Sequence, residues 1–137
     1  MKAFQPYLNF DGNTREAMTF YQKSLGGNLS MQTFGDVDPS ASAEMKNRIM
    51  HARLDNGAAV LMASDTMPGH PFKQGTNVHV NVDCDNVEEI ERIFKAMSEG
   101  GNVVMPLADQ FWGARFGMLV DKFGLNWMFN CEMKKPG

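Results

Sequence analysis

Two stretches decide the fold: Phe20-Tyr21-Gln22-Lys23-Ser24-Leu25-Gly26-Gly27-Asn28 and Phe94-Lys95-Ala96-Met97-Ser98-Glu99-Gly100-Gly101-Asn102. Phe, Ser and Gly-Gly-Asn recur in them at one constant offset, the mark of an internal repeat. Each reads as a helix stopped by glycine, which accepts the left-handed conformation that side chains resist. The helix starts agree as well. Asn13-Thr14-Arg15-Glu16 and Asn86-Val87-Glu88-Glu89 both place Asn three residues ahead of Glu, a capping-box spacing. Between start and stop, Ile90, Ile93, Phe94 and Met97 fall on one helical face. The matching stripe in the first copy is Ala17, Phe20, Tyr21 and Ser24.

Working outward, an alternating strand precedes each helix. Phe4, Leu8 and Phe10 oppose Gln5, Tyr7 and Asn9, and Val78, Val80 and Val82 oppose Asn77, His79 and Asn81. Period-two alternation puts such sets on opposite faces of a sheet. After the first helix, 28–34 and 49–54 read as strands, and Asp55-Asn56-Gly57 turns the chain into 58–63. After the second, 102–105 and 116–120 are strands, and Asp121-Lys122-Phe123-Gly124 turns the chain into 125–131. The prediction is therefore an α+β fold of two tandem βαβββ modules within one domain. Module one covers about 1–64 and module two about 75–133, with a Pro- and Gly-containing linker over 65–74. A polar loop, 35–46, interrupts module one.

Composition narrows the class. Of 137 residues, 43% are hydrophobic and 21% charged, which suffices for a core and is unlike a disordered chain. A net charge of -3 lacks the basic surface that a general nucleic-acid binder needs. No apolar run approaches the roughly 20 residues of a membrane span. The start, Met1-Lys2-Ala3-Phe4-Gln5-Pro6, does not read as a secretory signal. Cys84 and Cys131 form no CxxC pattern and are expected as reduced thiols of a cytoplasmic protein. The chain has 12 methionines, whose unbranched, polarizable thioethers serve either to fill core gaps or to line an adaptable pocket.

The tandem modules resemble the vicinal oxygen chelate (VOC) superfamily of glyoxalase I, bleomycin-resistance proteins and extradiol dioxygenases. More narrowly, the chain resembles the PhnB-like branch. The carrying residues are Tyr7-Leu8-Asn9-Phe10, Ala17-Met18-Thr19-Phe20-Tyr21, Ile49-Met50-His51-Ala52 and Leu61-Met62-Ala63-Ser64-Asp65. Phe111-Trp112-Gly113-Ala114-Arg115-Phe116-Gly117 and Asp121-Lys122-Phe123-Gly124-Leu125-Asn126-Trp127 complete the set. In the last motif, Lys122 and Leu125 replace the Pro and the frequent His of the branch. The resemblance implies that each module curls into a half-barrel, that two modules enclose a ligand cavity, and that the protein is a homodimer. It also implies metal-ligand positions at Gln5, Asn77 and Met128. Two amides and a thioether make a poor cage for a hard divalent cation, and His79 adds only one imidazole. The expectation is no cofactor beyond a weakly held divalent metal.

The amide-rich faces Gln5/Tyr7/Asn9, Asn77/His79/Asn81 and Asn126/Met128/Asn130 then have two readings. Either they meet solvent, as one face of an antiparallel sheet can, or they wall a cavity for an uncharged or oxygen-rich small molecule. Candidate ligand-binding residues are Gln5, Tyr7, Asn9, His51, Asn77, His79, Trp112, Phe116 and Met128. His51 is either a general base or a hydrogen-bonded structural residue. Phe111, Trp112 and Phe116 cap the cavity, form a dimer contact or fill the core. Ser64-Asp65 and Asp121 read as turn residues, His70 as a solvated linker residue, and the cysteines lack a base that would make either a nucleophile. Two functions remain: a small-molecule binder without assigned catalysis, or a lyase, isomerase or thiol transferase with a nonstandard metal site around Gln5, Asn77 and His79. A methyltransferase is excluded, since Gly26-Gly27 ends a helix and no glycine-rich turn opens one.

Overall fold

A computed structural model describes residues 1–133. The chain divides into two compact units, Met1–Lys73 and a second beginning at Gln74. In the first, β1 (Tyr7–Phe10) leads to α1 (Thr14–Leu25), β2 (Asn28–Thr33), two short helices α2 (Phe34–Val37) and α3 (Ala43–Lys46), β3 (Ile49–Asp55) and β4 (Val60–Asp65). In the second, β5 (Val80–Asp83) leads to α4 (Val87–Ser98), β6 (Asn102–Asp109), β7 (Ala114–Val120) and β8 (Asn126–Glu132). Each unit is the expected βαβββ module.

The two sheets have the same topology, β1-β4-β3-β2 and β5-β8-β7-β6. In both, the first strand runs parallel to the last and the remaining pairs are antiparallel. One helix covers one face of each sheet. The side chains of α1 that are buried are Thr14, Ala17, Met18, Tyr21 and Ser24, and the helix packs on β2, β3 and β4. Those of α4 are Ile90, Ile93, Phe94 and Met97, the four residues its periodicity selects. Phe94 meets Phe129 of β8 edge-to-face at 5.4 Å between ring centroids. Gly117 makes room there, for a Cβ on it would lie 2.8 Å from the Phe94 ring.

The repeated Gly-Gly has a shared structural cause. Gly26 (φ 81°) and Gly100 (φ 71°) take the left-handed conformation that ends each helix. The next glycine passes against backbone at the end of the third strand of its module. A Cβ on Gly27 would lie 2.9 Å from the Asp55 carbonyl oxygen, and one on Gly101 would collide with the Val120 carbonyl.

Several local expectations are corrected. The 35–46 loop contains α2 and α3, because Thr33 and Ser42 each accept a bond from a backbone N–H of the following turn. Strand β1 starts at Tyr7 and β5 at Val80, so Gln5, Asn77, Val78 and His79 lie outside the ladders. Strand β6 runs to Asp109, beyond the expected Met105, through two register shifts. Asn13 makes no side-chain cap on α1. Asp65 takes that role: as the last residue of β4 it is buried, not a turn residue, and its Oδ1 accepts bonds from Gly12 N–H, Thr14 N–H and the Thr14 hydroxyl. On α1, Met18 is buried where Phe20 is only half-buried.

Candidate functional sites on the uncovered sheet faces

Pleating sends alternate side chains to opposite faces, so the face away from the helix is written in each strand's odd or even positions. In the first module Leu8 and Phe10 point toward α1 with Ala63, while Tyr7 and Asn9 share the other face with their partners Met62 and Ser64. His51, half-buried, pairs with Gln32, and Arg53 pairs with Ser30 and Met62 on that face. Tyr7 reaches across β4 so that its hydroxyl lies 3.1 Å from His51 Nδ1, with the two rings 5.8 Å apart. Beside the pair is an open depression of about 500 Å³ lined by Ser30, Met31, Gln32, Asp36 and His51. Asp36 faces it as an anion. The bonds it accepts from the Thr33 backbone N–H, and its hydrogen bonding with the Thr33 side chain, hold its carboxyl below the usual carboxylate range.

The corresponding face of the second module carries Asn81, Asp83, Phe116, Met118, Asn126, Met128 and Asn130. The Asn81 and Asn130 amides donate to Asp83 Oδ1 at 3.3 and 3.4 Å. Asn126 donates instead to the Gly75 and Val78 carbonyls at 3.3 and 3.4 Å, which fastens the segment leading into β5. Trp112 stacks edge-to-face between Phe111 and Phe116, at 5.1 and 5.9 Å. Phe111 is 96% exposed and Trp112 53%, so neither fills the core.

The predicted residues therefore separate. Tyr7, Asn9 and His51 share one surface; Met128 and Phe116 share another. Gln5, Asn77 and His79 are exposed and lie before their strands. Among the described residues, no group of three or more His, Cys, Asp or Glu side chains could hold a metal. His70 is exposed, as expected of the linker. The Cys84 thiol is pushed up to about 12, chiefly by burial and then by Glu89, Cys131, Asp83 and Asp85, so it is no nucleophile near neutral pH. Sequence reasoning missed Asp83, although it continues the Asn81 alternation by one step. It also missed Gln32, Ser30 and Asp36, whose proximity to His51 depends on strand register. A larger depression, about 610 Å³, is lined by α4 residues and Leu107 and holds none of the predicted residues.

Comparison with known proteins supplies the relationship. The chain is 32% identical over 142 residues to protein YjdN of Escherichia coli (strain K12), covering 96% of each. It is 46% identical to PA1353 of Pseudomonas aeruginosa, whose crystal structure superposes with a TM-score of 0.85 over 96% of this chain and 100% of that one. A Bacillus cereus protein described as a putative 3-demethylubiquinone-9 3-methyltransferase, PhnB protein, is 25% identical, with a TM-score of 0.75 over 95% of this chain and 99% of its own. Among the described residues, no helix is long and apolar enough to cross a membrane. The family sequence model matches residues 4–129, and the chain belongs to the Glyoxalase/Bleomycin resistance protein/Dioxygenase superfamily.

Proposed function

We propose that this protein binds a small uncharged or oxygen-rich molecule on the uncovered sheet faces, acts as a PhnB-like homodimer in the cytoplasm, and needs no tightly held metal. The observation that carries the reading is the Tyr7–His51 hydrogen bond beside the depression at Gln32. A phenol, an imidazole and amides offer donors and acceptors that suit hydroxyl, carbonyl and ether oxygens. Asn9 and Ser64 extend the same polar strip. Trp112 and Phe116 offer apolar surface for a ring or methyl group on the second module.

The donor chemistry disfavours the metal-enzyme alternative. Gln5, Asn77 and His79 bring no carboxylate and lie outside the strands that would fix their geometry. The methyltransferase description of the Bacillus cereus relative is not carried over. Gly26 and Gly27 close α1, and α1 and α4 open at Asn13 and Asn86 instead of a glycine-rich loop.

Ligand-observed NMR with a panel of neutral sugars, phenols and lactones tests the reading. One or more compounds bind and raise the melting temperature, since a ligand that prefers the native state stabilises it. Tyr7→Phe and His51→Gln weaken that binding about tenfold each, the scale of one hydrogen bond. Elemental analysis after chelator-free purification finds less than stoichiometric divalent metal. A stoichiometric divalent metal lost in the Gln5→Ala, His79→Ala double variant would instead establish the enzyme.

A further inference from the structure

We propose that Met105, Met118 and Met128 form a binding site for a soft monovalent metal ion, Cu(I). Strand register places these residues together. Met105 of β6 is the direct partner of Met118 of β7, and Met118 is the direct partner of Met128 of β8. Three thioethers thus form one row across three neighbouring strands, and Asn81 of β5, the partner of Met128, ends it. Met118 and Met128 share the face opposite the buried Leu119, Trp127 and Phe129, and Met105, which lies between the two register shifts of β6, is set beside Met118 by its pairing. Met105 is 42% exposed and the other two are half-buried, so an ion can reach them.

The geometry allows convergence. Adjacent strands lie about 4.8 Å apart, so the backbones of Met105 and Met128 stand about 10 Å apart on either side of Met118. Methionine has three rotatable bonds, enough for both outer thioethers to lean over the central one. Thioether sulfur is neutral and soft, which selects Cu(I) over the hard divalent cations that prefer oxygen. Phe116 flanks Met118 along β7 on one side and Val120 on the other. Asp83, on the same face and held by the Asn81 and Asn130 amides, supplies a nearby negative charge. The thiols that would compete for the ion, Cys84 and Cys131, are both buried. This inference does not depend on the Tyr7–His51 pair that carries the small-molecule reading, because its residues lie on the other module.

The test is NMR of the full chain carrying ¹³C-labelled methionine methyl groups, titrated with silver nitrate in chloride-free buffer. Silver(I) is a redox-inert stand-in for Cu(I). The methyl signals of Met105, Met118 and Met128 move together and saturate at one equivalent, while the other methionines stay in place. Cu(I), kept reduced by ascorbate under nitrogen, gives the same pattern. Met118→Leu keeps the volume and melts like the parent, yet removes the response at Met105 and Met128; Met128→Leu does the same for Met105 and Met118. The proposal is overturned if the three signals are unmoved at one equivalent, if the other methionines move equally, if Cu(I) fails to reproduce silver, or if the response survives Met118→Leu.

Discussion

The carboxylate of Asp65 accepts two hydrogen bonds from Thr14, one from its backbone N–H at 3.0 Å and one from its hydroxyl at 2.7 Å. The same carboxylate accepts from Gly12 N–H at 2.9 Å and, through Oδ2, from Ile49 N–H at 2.7 Å. One buried anion therefore joins the end of β4, the start of α1 and the start of β3. It also sits at a helix N-terminus, where backbone donors and the helix dipole favour negative charge.

Asp65→Ala is expected to destabilise the protein by about 3–5 kcal/mol, since it strips partners from buried donors. Thr14→Ala, which removes only the hydroxyl contact, costs about 1 kcal/mol. Urea denaturation measures both. A loss below 1 kcal/mol in Asp65→Ala would show that the carboxylate does not hold these elements together.

The repeated glycines separate steric from conformational cost. Gly27 and Gly57 both have positive φ, but only Gly27 meets backbone where a Cβ would sit. Gly57→Ala should cost about 1 kcal/mol from backbone strain alone. Gly27→Ala should cost about 1–3 kcal/mol more, the scale of overpacking. Gly101→Ala carries the steric part without positive φ and should fall between them or near Gly27→Ala. Melting curves of the three variants give the order.

Trp127 is buried, and its indole N–H donates to Asp121 Oδ2 at 2.8 Å. Asp121 Oδ1 accepts from the Phe123 and Leu125 N–H groups, so the indole anchors the β7–β8 turn. Trp127→Phe is predicted to lose about 2–4 kcal/mol, from the hydrogen bond and from the cavity left by the smaller ring. Amide exchange at Phe123 and Leu125 should accelerate in that variant; unchanged protection would show that the turn holds without the indole.

The Cys84 thiol sets a pH window. Its folded pKa of about 12 lies above that of an unfolded thiol, so the native state keeps a proton that the unfolded state releases. Its contribution is complete below the unfolded value and is lost as pH rises from about 9 toward 12. The melting temperature should fall over that range, and Cys84→Ala should make the fall shallower. At pH 8 only about one native thiol in ten thousand is ionised. Alkylation of Cys84 by iodoacetamide should therefore follow unfolding, and fast labelling of the native protein would contradict the buried placement.

Much of this architecture was legible in the chain. Hydrophobic period and glycine stops are local properties, so both long helices, the repeated module order and the inward faces of α4 and β8 could be read directly. Alternation also told which side chains of β1 and β5 share a face, as Leu8 and Phe10 against Tyr7 and Asn9 show. Strand starts were less legible. Alternation continues through Gln5 and Asn77 whether or not a neighbour is present to pair with them, and hydrogen-bonded pairing is what defines a strand.

The sequence by itself determined the class of fold, the family and the amide-rich composition of the faces, because periodicity and turn chemistry act over a few residues. Only the tertiary structure decided that Asp65 replaces Asn13 as the cap of α1, that Tyr7 meets His51 across β4, and that Met105, Met118 and Met128 form one row. Each of these pairs residues far apart in the chain. Their meeting depends on inter-strand register, which is set by the packing of whole elements and is not encoded at any one position.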